Sequence, residues 1–259
     1  MNPFIVDRTQ SAGLAEVLAS LPASLAPEGD DPQLAFIEGT PDWPEFTQAA
    51  LNAGALAAVV SSPSTKDNGF VSKEAAERVI LAWDFAENPG VRVAAAAAIP
   101  LQGTAVLAEA ILTAPTHTDV ETALLDMMTA LTRIAGHLTQ LRTLYRNGTG
   151  WYLAAELENG APVSISLLIT DTVPRRLNMR LLTIDGGLNV IVPAPDTAAP
   201  AEVRVVGPEG ELLLPTLWET SHRASWRRAV ALAGGTEISG DIEELRRIAK
   251  RLPTSMVGR

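Results

Sequence analysis

The chain has 259 residues, 47% of them hydrophobic and 19% charged, a globular composition that excludes the disordered and fibrous classes. Its 20 Lys and Arg against 30 Asp and Glu give a formal charge of −10, so the basic field of a nucleic-acid binder is missing. With no cysteine, disulfides, thiol catalysis and zinc–sulfur sites are excluded as well. The start MNPFIVDRTQ puts Asp7 and Arg8 where a signal peptide carries its apolar core. The longest apolar stretch, Val93 to Leu101, falls far short of the roughly 20 residues a membrane span requires. The expectation is a soluble, cytoplasmic protein with neither membrane nor nucleic acid among its partners.

In chain order, Phe4-Ile5-Val6 is a short apolar run ending in Asp7, and Leu14 to Leu21 predicts a small helix. Leu34 to Ile37 reads as a buried strand stopped by Gly39-Thr40-Pro41. Asp42 and Glu45 have the spacing of a capping box, which opens a helix through Ala49, Ala50 and Leu51 to a stop at Gly54. Ala57 to Val60 is another buried strand. Ser72 caps a predicted helix in which Ala75, Val79, Trp83 and Ala86 form an apolar stripe, and Val91 to Val93 closes the series as a strand. Alternation at these lengths predicts a parallel sheet. Residues 103–136 predict a helix with a capping box at Thr118 and Glu121, an apolar face of Leu124, Met127, Met128, Leu131 and Ala135, and a stop at Gly136.

After residue 150 the pattern changes to hairpins, with turns at Asn159-Gly160, Asp185 to Gly187 and Gly207 to Gly210. The flanks alternate, as in Val163, Ile165 and Leu167 against Ser164 and Ser166. Five or six mostly antiparallel strands are expected, with Pro193 to Pro200 a long hairpin loop and a closing helix from Asp241. The fold class expected is α/β (α+β): a small parallel α/β unit, residues 1–98, followed by an α+β unit, residues 99–259, with a largely antiparallel open sheet.

Chemistry is sparse. No glycine-rich phosphate loop can be read, and Gly148-Thr149-Gly150 leads into a strand rather than a helix. His117, His137 and His222 lie far apart without metal-ligand spacing, so no metal is expected. Ser221-His222 is not a nucleophile elbow. Arg223, Arg227 and Arg228 beside Trp226 are either an anion patch or a solvated helix face. Thr122, Asp126, Thr129 and Arg133 share one helix stripe. That stripe is either solvated or turned to a cleft, which makes Asp126 and Arg133 the ligand-cleft candidates.

Taken together, these pieces resemble the glucose–fructose oxidoreductase/inositol dehydrogenase (Gfo/Idh/MocA) family of NAD(P)-dependent oxidoreductases. LAFIEGTP (34–41) resembles the family's strand ending in a Thr-Pro turn. FTQAALNAGALAAVV (46–60) resembles the helix and the next strand, and SKEAAERVILAWDFAENPGVRV (72–93) the helix and strand after them. Leu125-Asp126 and Gly136 match the second-domain helix, ELENGAPVSIS (156–166) the first hairpin, and residues 239–259 the closing helix.

The resemblance makes residues 1–98 an incomplete Rossmann-like unit and implies departures at the working positions. The chain starts at the family's second strand, with Phe4 to Asp7 ending in the acid that holds the adenosine ribose, so the first strand and the phosphate loop are missing. The family's Glu-Lys-Pro turn is replaced by Ser61-Ser62-Pro63, and the histidine of its His-x-x-Asp pair by Ala123, while Asp126 is retained. No catalytic residue and no cofactor are then expected, and Asp7, Thr40 and Pro41 are vestiges of cofactor binding. The implied function is an oxidoreductase-like protein without catalysis, acting as a binding, regulatory or partner subunit. It would be a homo-oligomer through the 151–214 sheet, on the apolar side of Leu177, Met179 and Leu181, or a partner of a full-length family member. The alternative is an active NAD(P)-dependent sugar or polyol oxidoreductase with a rearranged site or one completed by another chain.

Overall fold

The computed structural model describes residues 4–7, 14–27, 32–65, 71–197 and 199–252. Its elements in chain order begin with β1 (Phe4–Asp7), α1 (Leu14–Ser20), β2 (Leu25–Ala26), β3 (Leu34–Glu38), α2 (Trp43–Asn52), β4 (Ala57–Ser61), α3 (Lys73–Ala76) and β5 (Val79–Ala82). Then come α4 (Pro89–Gln102), β6 (Leu107–Ala114), α5 (Val120–Ala135), β7 (Leu138–Asn147), β8 (Gly150–Leu157), β9 (Pro162–Ile169), β10 (Arg176–Leu182) and β11 (Gly187–Pro193). The chain closes with β12 (Glu202–Gly207), β13 (Gly210–Leu213), α6 (Ser221–Ala233) and α7 (Asp241–Ala249). Two compact units result: Met1–Trp83 with Ser221–Ala249, and Asp84–Thr220 with Lys250–Arg259. The boundary expected between residues 98 and 99 falls inside α4. The helices after residue 220 return to the first unit, a long-range pairing that no local pattern displays.

In the first unit a parallel sheet runs in the order β2-β1-β3-β4-β5. Its strands read as continuous apolar runs because both faces are covered: Ala57 to Val60 and Val79 to Leu81 are each 0% exposed. That double burial is why 72–86 misled the helical reading. Val79 and Trp83 fall on a helical period, but Val79–Ala82 is a strand, and only Lys73–Ala76 is helical behind the Ser72 cap. Asp42 does precede α2, yet its side chain makes no capping bond; the backbone N–H of Trp43 instead donates to the carbonyl of Thr40. β1 pairs with β2 on one side and β3 on the other, so it stands where the winding reverses, the place of the first strand in a doubly wound sheet. The reading of Phe4 to Asp7 as the second strand is corrected by that pairing, since an apolar run closed by an acid looks alike at either place.

The second unit is an eight-stranded mixed sheet ordered β13-β12-β11-β10-β6-β9-β8-β7. β6 pairs parallel with β9, and the other neighbours are antiparallel. The helix expected across 103–118 is in fact β6, where Ala108, Ala110, Leu112 and Ala114 are buried in strict alternation; its alanines hid a period of two. Val91 to Val93, read as a strand, lie in α4, which Asn88 caps through the Gly90 N–H with Pro89 in the first turn. The cap of α5 is Asp119, one residue past Thr118, and Gly136 ends the helix at φ +92°. All three expected hairpin turns are present. α4 and α5 pack on one face of the sheet, and Leu177, Met179 and Leu181 lie on that covered face at 0–1% exposure. They are core, not an exposed apolar side as expected. The other face carries Ile111, Asn178, Ile191, Ser166 and Tyr152 in register across five strands.

Candidate functional site

In open parallel sheets ligands bind outside the carboxyl ends of the strands, at the reversal of winding. Here that edge is formed by the ends of β1, β3 and β4. After β1, residues 8–13 read RTQSAG, with Gly13 as their one glycine; these residues and the Asp7 side chain lie outside the described residues. Thr40 and Pro41 are exposed at the end of β3. Gly39 lets that turn press against the end of β4: a Cβ there would sit 2.2 Å from the Ser61 carbonyl oxygen and 2.4 Å from that of Ser62. Ser64 N–H donates to the Gly39 carbonyl at 2.8 Å, and Trp43 Nε1–H to the Ser64 carbonyl at 2.9 Å. Ser62, at the expected lysine position, holds φ +46° and donates its N–H to Ala82 at 3.3 Å. A non-glycine residue in the left-handed region carries strain and is typical of functional turns.

The second unit holds the other site residues. Ala123 is buried in α5 at 3% exposure, one turn before Asp126. Asp126 is itself only 3% exposed, and its carboxylate accepts the N–H of Phe85 at Oδ2 (2.9 Å) and of Ala86 at Oδ1 (2.8 Å). Burial pushes its pKa up to about 7, helped by the like charge of Asp84 and opposed by the two N–H bonds and Arg175. Arg133 Nη1 donates to the Ala86 carbonyl at 2.8 Å and to Glu87 Oε1 at 2.7 Å. Arg175 pairs with Asp84 at 2.7 Å and stands 4.9 Å above the Phe85 ring. Thr129 Oγ1 donates to the Leu125 carbonyl.

The α5 stripe is therefore committed to the turn 84–88 of its own unit. It is not bathed in water, and both Asp126 oxygens already hold protein donors. Asp84, Glu87 and Arg175 escaped the sequence reading because they meet α5 from 40 or more positions away. Trp226 is core, stacked with Phe36 at 6.2 Å, and Arg228 is bound by Glu237 and Asp241 at 2.8 Å each, which removes that part of the suspected anion patch. Among the described residues no group of three His, Cys, Asp or Glu could hold a metal ion, and no helix is long and apolar enough to cross a membrane.

By sequence, no family model matches the chain and neither does any curated protein. Solved structures do match. The UDP-N-acetylglucosamine 3-dehydrogenase from Acidithiobacillus ferrooxidans is 17% identical, with 96% of this chain and 87% of that one covered at a TM-score of 0.63. A dehydrogenase from Clostridium difficile is 9% identical over 98% and 100% of the two chains, at a TM-score of 0.64. A 3-ketoreductase from Actinomadura kijaniata, solved with NADP, is 16% identical over 95% and 85%, at a TM-score of 0.61. The chain has the fold of the Gfo/Idh/MocA-type oxidoreductases, the fold its sequence resemblance implied.

Proposed function

We propose that this chain keeps an oxidoreductase scaffold without dinucleotide binding or hydride transfer, and acts as a binding, regulatory or partner subunit. The observation that carries the reading is the state of three positions. Ser62 supplies a hydroxyl that neither gives nor takes a proton near neutral pH, Ala123 supplies a buried methyl, and Asp126 has both oxygens filled by backbone N–H groups. These residues do not fit nicotinamide chemistry: Ser62 and Ala123 cannot relay a proton to or from a substrate hydroxyl, and Asp126 is buried with its carboxylate committed to the 84–88 turn. The RTQSAG segment after β1 points the same way. A pyrophosphate grip takes glycines where the backbone must approach closely, and in this segment only Gly13 supplies one. Assembly is part of the proposal: a second copy of this chain, or a full-length relative, covers the face of the eight-stranded sheet that the helices leave open.

Calorimetric titration with NAD, NADH, NADP and NADPH tests the reading. No binding is expected at micromolar concentration. A dissociation constant below about 10 μM, equivalent to about 7 kcal/mol, overturns it and favours an active oxidoreductase with a rearranged site or one completed by another chain. The NADP held by the Actinomadura ketoreductase makes that alternative concrete.

A further inference from the structure

The turn 84–88 follows the last strand of the parallel unit, and Asp126 and Arg133 of α5 hold it by four hydrogen bonds. Two of its amides end on Asp126, one carbonyl and one carboxylate on Arg133, and its first residue on Arg175. Asp126 receives only neutral backbone donors, while the nearby cation Arg175 is already paired with Asp84. Ionised, Asp126 is thus a desolvated charge beside a second carboxylate. Protonated, it still offers acceptor capacity to both amides and sheds the cost of its charge. The geometry points to a proton-gated latch: the 84–88 turn stays docked on α5 while Asp126 carries a proton and opens to water when Asp126 ionises.

The charged groups around Asp126 are Asp84 and Glu87 on the turn, Arg175 from the β9–β10 connection and Arg133 on α5 itself. From α4, the uncharged Gln102 Nε2 donates to the Ile134 carbonyl at 2.8 Å near the far end of α5, and the buried residues that α4, β6 and β10 present are apolar. α4 buries Pro89, Gly90, Val91, Ala94 and Ala98, and β6 and β10 present Ala110, Leu112, Leu177 and Met179. The sign follows from linkage. Docked, the carboxyl titrates at about 7; undocked it returns to its ordinary 3.8, so opening releases a proton and is favoured as pH rises between those values. Two such pKa values give about a tenfold rise in the open fraction from pH 6 to pH 8, with a plateau above. This latch goes beyond the proposed loss of catalysis and does not depend on it.

Amide hydrogen exchange at Phe85 and Ala86 between pH 6 and 8, normalised to intrinsic rates, reads the latch directly in the full chain. Opening of both amides should rise about tenfold, in step with a carbon-13 titration of the Asp126 carboxyl, while the β10 amide of Met179 stays flat. Asp126→Asn should abolish the pH dependence. Should that variant fail to fold, Asp84→Asn should move the transition to lower pH by removing the like charge. Opening that is flat or falls with pH, an Asp126 that titrates in the ordinary carboxylate range, or an equal response at Met179 each overturns the latch.

Discussion

Gly39 is the residue on which the carboxyl edge of the parallel sheet turns. Its missing side chain leaves room for the carbonyls of Ser61 and Ser62, and a Cβ would meet backbone at 2.2–2.6 Å in three places. Backbone cannot rotate away as a flexible side chain can. Gly39→Ala should therefore cost about 3 kcal/mol or somewhat more, the upper range for overpacking, and chemical denaturation would measure it. A loss below about 1 kcal/mol would show that the two turns move apart freely. In the sequence this glycine is legible only as a strand stop, because its neighbours come from positions more than 20 residues on. Ser62 and Ala123 are legible as replacements, since a resemblance reports residue types position by position. What Asp126 does is not legible: its donors Phe85 and Ala86 lie on a turn that the helical reading of 72–86 dissolved.

At the scale of elements, the misread segments share one cause. β5 and β6 are rich in residues that suit either a helix or a buried strand, and burial decides which period counts. Segments with turn chemistry came through: the Gly54 stop, the Asn159-Gly160 hairpin and the Gly136 stop all stand as expected. α7 shows a different blind spot. Asp241 has the spacing of a cap, yet it is itself helical, and its carboxylate crosses to the N–H of Leu81 at 2.9 Å while also binding Arg228. β5 is the edge of the parallel sheet, so this carboxylate satisfies a ladder donor that no strand pairs. Asp241→Ala would leave that buried N–H empty and strip Arg228 of one partner, with Glu237 remaining. The expected cost is about 2–4 kcal/mol. Asp241→Asn keeps one acceptor for Leu81 and should recover part of it. Equal losses for the two variants in urea melts would mean that the charge on Arg228, not the strand edge, sets the cost.

At the scale of the whole molecule, the eight-stranded sheet presents one face covered by α4 and α5 and one open face. Ile111 stands on the central strand β6 at 39% exposure, with Leu168, Tyr152 and Tyr145 at 44%, 45% and 61% on the β9–β8–β7 side. Arg180–Glu109 and Arg204 with Glu202 and Glu211 form a charged fringe within the same face. An apolar centre beside polar and charged groups of both signs is the composition of a protein interface. Because both signs occur on one face, a second copy turned about a two-fold axis can set its arginines against the first copy's glutamates. The alternation that fixes this face also corrects the expected one, since Leu177, Met179 and Leu181 point to the helices. We therefore expect light scattering to show at least a dimer at micromolar concentration. Ile111→Arg should shift it to monomer without unfolding it, because that side chain lies on the open face, partly exposed in the single chain and outside the buried core. A monomeric wild type would refute self-association through this face, and an Ile111→Arg variant that still dimerises would place the interface elsewhere.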